Sequence, residues 1–326
     1  MAVSEILYLT KEEVIKVDFT MQENLDLLED IYREKALGNY ELPPKIGIHP
    51  GEGNYMHAMP CWAHKWEAAG IKWGAAFKDN PQKGIDYIHG FIVLNDVMTG
   101  VPYAIMDCAW ITAQRTGAKS GFSAKYLARK GASVCAILAC GVQARKALHA
   151  IHLACPEVTT FTCWDYFPAA TEKFIAEMKE QFPELNLVNC ANVADAVKDA
   201  DIIQTAAPTT HAEMSCVTKD MIKPGVVVVA MDGFTLFYKD TITGKFTKFV
   251  TDDVPQFRTF ENAFEFKGIH LDPYGLHEVV SGKAKRESDT ENIFVTNLGN
   301  AFDDMPMAKL IYEKAKKMGI GTVLPH

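Results

Sequence analysis

Residues 134–144 read VCAILACGVQA: an apolar run, a turn at Ala139, Cys140 and Gly141, and a helix opening at Val142 and Gln143. A short strand of apolar residues on both faces belongs in the middle of a parallel sheet covered by helices. The turn is a degraded G-x-G-x-x-[GA], with Ala139 in the first glycine slot and Gly141 in the middle one, where backbone must approach a pyrophosphate. The helix beginning there aims its free N–H groups and the positive end of its dipole at that position. Ala144 keeps helix and strand close. A glycine turn between strand and helix is also an ordinary structural feature, so the motif needs a second element. The next strand supplies it: TFTCWD ends in Asp165, 24 residues after Gly141. An acid there accepts hydrogen bonds from ribose hydroxyls and repels a 2′-phosphate. The following Tyr166, Phe167 and Pro168 offer no arginine for such a phosphate, so NAD is expected rather than NADP.

Strands and helices alternate outward from this turn. A helix from Pro168, LNLVN, a helix near Val193, ADIIQTA and VVVVAM follow in order, the pattern of a doubly wound α/β domain. Upstream the texture differs. Residues 5–9 read as a strand, and Thr10 with Glu13 makes a capping box. Met21 to Leu37 has helical spacing ended by Gly38. From Leu42 to Met106, short apolar segments are separated by Pro50-Gly51, Asp79-Asn80-Pro81 and Thr99-Gly100, which predicts an antiparallel sheet with hairpins. Trp110 to Ala128 reads as a long helix, Lys239 to Phe249 as a hairpin turning at Thr243-Gly244, and Asn300 to Met318 as a final amphipathic helix stopped by Gly319. The fold class is therefore α/β, with a Rossmann-type parallel-sheet domain inserted into an α+β antiparallel-sheet domain. Residues 120–299 form the dinucleotide-binding part. Residues 1–119 form the part for substrate and dimerisation, completed by residues 300–326.

Composition narrows the partners. A chain of 326 residues exceeds one ordinary core and suits two domains. With 48% hydrophobic and 23% charged residues it reads as globular. The net charge is −8 and no block of lysine or arginine occurs, which argues against nucleic acid and against a polybasic membrane contact. The N-terminus lacks the basic and apolar regions of a secretory signal, and no apolar run approaches the roughly 20 residues of a membrane span. A cytoplasmic protein is expected. The 8 cysteines form no CxxC pair and read as reduced, buried small hydrophobes. The histidines have no ligand spacing, so no metal is expected.

The stretch RTGAKSGFSAKYLARKGASVCAILACGVQARKAL (115–148) resembles the ornithine cyclodeaminase/mu-crystallin family, whose members read R-T-A-A-x-S, then A-x-x-L-A-R, a strand and G-x-G-x-Q-A. The likeness continues in VLNDVMTGVPYAIMD before it and in LGNAFDDMPMAKLIYEKAKKMGIGT at the end. The resemblance implies that two subunits join their N-terminal sheets into a shared barrel and that substrate lies between the domains. It also assigns roles. Lys72, in GIKWGAAF, matches the lysine that holds the substrate carboxylate. Arg115 matches an arginine shared between that carboxylate and the cofactor phosphates, a task suited to a guanidinium fork. Outside this context either residue would pass for a solvated charge. Lys45, in PPKIGI, stands where arginine is common and lacks the fork. His57, in YMHAMP, stands where ornithine cyclodeaminases carry a glutamate; it also suits a strand residue facing water. Asp232 falls about two positions before the cyclodeaminase aspartate, whose slot holds Phe234. Thr205, Ala206 and Asn297, at the ends of later strands, are expected to complete the cofactor site.

The family implies an NAD-dependent enzyme that transfers hydride at the Cα–N bond of a small L-amino or imino acid. It would act as an amino-acid dehydrogenase or imine reductase. Proton transfer needs a group that titrates near neutrality, with His57 and Asp232 as candidates. Phe234 would give the substrate side chain an apolar wall, which disfavours a distal ammonium. Ornithine cyclodeamination is the alternative within the family. A nucleotide-dependent small-ligand binder, like mu-crystallin, is the alternative from another class.

Overall fold

The computed structural model describes residues 5–208, 214–261 and 266–325. The chain forms two compact units, one built from the chain up to Arg115 together with the chain from Asn300 onward, the other from Thr116 to Gly299.

In the first unit the strands are β1 (Glu5–Leu9), β2 (Tyr40–Glu41), β3 (Ile46–Ile48), β4 (Tyr55–Ala63), β5 (Ala68–Ala76), β6 (Ile88–Asn95) and β7 (Pro102–Asp107). The early helices are α1 (Lys11–Lys16) and α2 (Met21–Leu37). Each opens on a capping box, Thr10 with Glu13 and Thr20 with Glu23, and α2 stops at Gly38 in the left-handed region. Helix α3 (Ala109–Leu127) contains the boundary between units.

Three crossings of two-residue periodicity make β4, β5 and β6 a meander in register, with Met59 opposite Lys72 and Lys72 opposite Ile92. The sheet order runs β1-β7-β6-β5-β4-β2, with β3 also on β4. All pairs are antiparallel except β1 with β7. The last helix, α10 (Ala301–Met318), lies over β4, β5 and β6 and packs on α2. Beyond Gly319 the chain adds a strand that the sequence reading lacks: β16 (Thr322–Pro325) pairs antiparallel with β1. It is exposed throughout and ends in proline, as suits an edge.

The second unit is a parallel sheet of eight strands. In chain order its elements are β8 (Val134–Leu138), α4 (Val142–Ala154), β9 (Thr160–Trp164), α5 (Pro168–Gln181), β10 (Asn186–Asn189), α6 (Val193–Val197), β11 (Ile202–Thr205) and β12 (Val227–Ala230). Then come α7 (Lys239–Lys245), β13 (Lys248–Thr251), α8 (Val254–Phe260), β14 (Tyr274–Gly275), α9 (Leu276–Val280) and β15 (Ile293–Thr296). The order β10-β9-β8-β11-β12-β15-β13-β14 reverses direction between β8 and β11, where doubly wound sheets place their ligands. The hairpin expected over 239–249 is instead a helix followed by a parallel strand. Thr241 and Ile242 are adjacent and both buried, which a half-exposed strand does not allow. Strand β13 runs parallel to β15, and parallel neighbours require a crossover rather than a tight turn.

Candidate active site

In the first unit the site grows from alternation along the sheet. Trp73, Phe91, Ile46 and Ile48 lie on the outer face and are exposed. Lys72 points inward and is 3% exposed. His57 is opposite Gly74 and Gly74 opposite Gly90, in the row beside Lys72. A Cβ at Gly74 would meet one atom, Lys72 Cε at 3.4 Å, so glycine there leaves open space next to the ammonium.

Helix α10 brings a residue that sequence reasoning missed. Asp304 is fully buried and accepts from Lys72 Nζ at 3.2 Å and from Arg115 Nε at 3.0 Å. Burial would raise its carboxyl, but Arg115 and Lys72 hold it below the usual aspartate range. Burial also pushes the Lys72 ammonium below the usual lysine range, against the pull of Asp304. Two buried cations thus meet on one buried carboxylate.

His57 stacks on Tyr55 at 4.3 Å. Burial, then Lys45, His49 and Lys72, push its imidazole down to about 3. At neutral pH it is therefore an uncharged hydrogen-bonding group. Lys45, one residue before β3, shares the inward side by alternation.

In the second unit the glycine turn has the geometry its sequence suggests. Ala139 adopts φ 72°, the left-handed conformation that glycine favours. Cys140 N donates to Asp165 Oδ2 at 2.7 Å, and Phe167 N to Asp165 Oδ1 at 2.9 Å. Asp165 thus ties the turn to the end of β9, while each oxygen retains a second lone pair. Arg145 braces the turn from α4, donating to Cys140 O at 2.7 Å and Gly141 O at 2.9 Å. Gly141 precedes α4 without any side-chain cap, and a Cβ added to it would meet nothing within 4 Å. Val142 beside it is 65% exposed.

Several buried polar atoms at this end of the sheet have no hydrogen-bond partner: Gln143 Oε1, Thr296 Oγ1 and Asn297 Oδ1. An open helix N-terminus, a glycine cradle, an acid at the next strand and unpartnered buried polar atoms fit a dinucleotide. Gly141, Val142 and Gln143 would face its phosphates and Asp165 its ribose.

Asp232 follows β12 and is buried. It accepts from Thr205 Oγ1 at 2.5 Å and from Ala207 N at 2.7 Å, so it braces the segment Thr205-Ala206-Ala207. Burial pushes its carboxyl up to about 6, which makes Asp232, rather than His57, the group nearest neutrality. Phe234 corrects an expectation. It is 2% exposed and packs against Phe266 and Phe294, so its ring belongs to the core of the second unit. Among the described residues no cluster of histidine, cysteine or acidic side chains could hold a metal.

The fold and these two sets of residues define a two-unit protein with a Rossmann-type unit and a buried Lys72–Arg115–Asp304 group. The chain belongs to the ornithine cyclodeaminase/mu-crystallin family, whose model matches residues 5–319. It is 32% identical to the alanine dehydrogenase of Archaeoglobus fulgidus, over 98% of both chains. Among solved structures it resembles an archaeal alanine dehydrogenase dimer with bound NAD, at 29% identity and TM-score 0.87, covering 98% of this chain and 99% of that one. It also resembles the Δ1-pyrroline-2-carboxylate reductase of Thermococcus litoralis in complex with NADH and L-proline. There the identity is 28% and the TM-score 0.85, over 97% of this chain and 99% of that one.

Proposed function

We propose that this chain is an NAD-dependent oxidoreductase acting at the Cα–N bond of a small L-amino or imino acid, as an amino-acid dehydrogenase or imine reductase. The observation that carries the reading is the buried group in which Lys72 and Arg115 meet on Asp304. The relatives named alanine dehydrogenase and pyrroline-2-carboxylate reductase support the same substrate class.

The first unit takes the substrate and the second the cofactor. Held by Gly141, Val142, Gln143 and Asp165, NAD would supply the hydride acceptor, and NADH the donor, for the substrate α-carbon. Lys72 and Arg115 hold the carboxylate, with Lys45 assisting, and this positioning supplies much of the rate. Asp304 keeps both cations oriented. His57 contributes a neutral hydrogen bond, and Asp232 braces the Thr205–Ala207 segment beneath the cofactor. The exposed Ile46, Ile48, Trp73 and Phe91 support a homodimer joined through the outer sheet face, and the free cysteines support a cytoplasmic setting.

The test is a substrate panel followed at the NADH absorbance: L-amino acids in one direction, and cyclic imines or 2-oxo acids with ammonia in the other. Activity on alanine-sized or cyclic imino substrates is expected. Arg115→Lys and Lys72→Met, checked for folding, should each lower kcat/KM by about 100-fold or more. Asp165→Ser should weaken NADH by about 10- to 150-fold and narrow its advantage over NADPH. Conversion of ornithine to proline and ammonia, abolished by Asp232→Asn, would replace this reading with cyclodeamination.

A further inference from the structure

Helix α3 carries Lys119 and Ser123 one turn apart, and both are fully buried. Lys119 Nζ donates to Asp252 Oδ2 at 2.7 Å, with the lysine side chain 1% and the aspartate 0% exposed. Asp252 lies just past β13 and turns both oxygens to the loop that follows β15. Its Oδ1 accepts from Leu298 N at 2.9 Å and its Oδ2 from Gly299 N at 2.8 Å. One residue earlier, Asn297 Nδ2 donates to Ser123 Oγ at 3.3 Å, while Asn297 Oδ1 is left without a hydrogen-bond partner although the residue is 4% exposed. A buried carbonyl oxygen with no partner is costly, so its retention here, at the carboxyl end of a parallel strand, marks a position that meets a ligand. Lys119 itself fills the one position that the pattern R-T-A-A-x-S leaves open.

We propose that Lys119 and Asp252 are positioning residues that hold the Asn297–Gly299 backbone so that Asn297 Oδ1 faces the bound dinucleotide. The inference rests on the cofactor reading above and adds to it. Lys119 supplies the charge that keeps Asp252 in place. Asp252 fixes two successive amides, and those amides fix the direction in which Asn297 leaves β15. Removing one partner takes away this contact from the other buried charge, whereas removing both exchanges an ion pair for a neutral contact, often with little loss of stability. An asparagine at 252 keeps one oxygen for one of these amides and turns an NH2 donor toward the other.

The experiment compares wild type, Lys119→Arg, Lys119→Met and the double variant Lys119→Met/Asp252→Asn. Three quantities are measured: Tm, NADH Kd by fluorescence, and hydrogen exchange at Leu298 and Gly299 without cofactor. The double variant should recover most of the Tm lost by Lys119→Met. Its NADH affinity should stay at least fivefold weaker than wild type, and exchange at 298–299 should be faster. Lys119→Arg should lie between wild type and Lys119→Met in all three. A double variant that regains wild-type NADH affinity together with its Tm would overturn the proposal and leave a purely structural pair. So would NADH binding and amide exchange unchanged in every variant. A wild-type protein that fails to bind NADH would instead overturn the cofactor reading, and this inference with it.

Discussion

Ala139 holds φ 72° at the tightest point of the cofactor turn, a conformation that is unfavourable by roughly 1–2 kcal/mol for a residue with a Cβ. Its amide donates to Trp164 O at 3.0 Å and the next amide to Asp165, so strand pairing and the acid together impose the angle. Ala139→Gly should relieve the strain, less the greater chain entropy glycine loses on folding. The expected net gain is about 0.5–1 kcal/mol, or roughly 1–3 °C in Tm, with NADH binding retained. A thermal melt showing no gain would mean that the turn is not strained. At this scale the sequence displayed the turn, Asp165, Lys72 and Arg115, because each occupies a motif slot. It did not display Asp304. The signal was present: two adjacent aspartates, Asp303 and Asp304, in the first turn of a helix whose buried residues surround them. First-turn acids usually complement the helix dipole at the surface, and only the sheet beneath α10 reveals that Asp304 answers two buried cations.

At the level of elements, two glycines separate packing from binding. Gly121 on α3 faces α4 so closely that a Cβ would come within 2.3 Å of Ala150 O. Helix propensity alone would favour alanine by about 1 kcal/mol, but a contact with backbone at that distance cannot relax without moving a helix. Gly121→Ala should therefore destabilise by about 1–3 kcal/mol, read from urea melts. Gly141→Ala presents the opposite case. Its Cβ would point into open space, so the midpoint should hold steady while NADH affinity falls, because the methyl group occupies the cradle meant for phosphate. If Gly141→Ala bound NADH like wild type, the phosphates would have to lie elsewhere. Elements with strong local signals were legible: the capped helices, the meander and the apolar parallel strands. Those that depend on distant partners were not. The segment over 239–249 has the alternation and turn residues of a hairpin, yet its place beside β15 makes it helix and parallel strand. Strand β16 is four exposed residues whose pairing with β1 joins the two ends of the chain.

Across the whole molecule, two buried titratable groups, His57 and Asp232, shape how stability responds to mild acid. His57 shares that face with Lys72, is flanked by Lys45 and His49, and has its imidazole pushed down to about 3 by burial and then by these neighbours. In the unfolded chain it titrates near 6.5. Between those values the unfolded state binds a proton that the folded state refuses, so stability rises with pH across this window. The contribution is fully present above about 6.5 and is lost as pH falls from there toward 3. The raised carboxyl of Asp232, at about 6, acts in the opposite sense, because there the folded state holds a proton that the unfolded state releases. The two therefore partly offset one another between about pH 4 and 6, and wild type alone cannot separate them. A His57→Gln variant can, since it removes one slope and leaves the other. Midpoints of chemical denaturation at pH 7.5, 6.5, 5.5 and 4.5 should fall more steeply for wild type than for His57→Gln. The gap between the two curves should widen as pH drops, with little difference above pH 7. Parallel curves over that range would show that His57 is solvated, and that the sheet face it shares with Lys72 is not the enclosed surface described above.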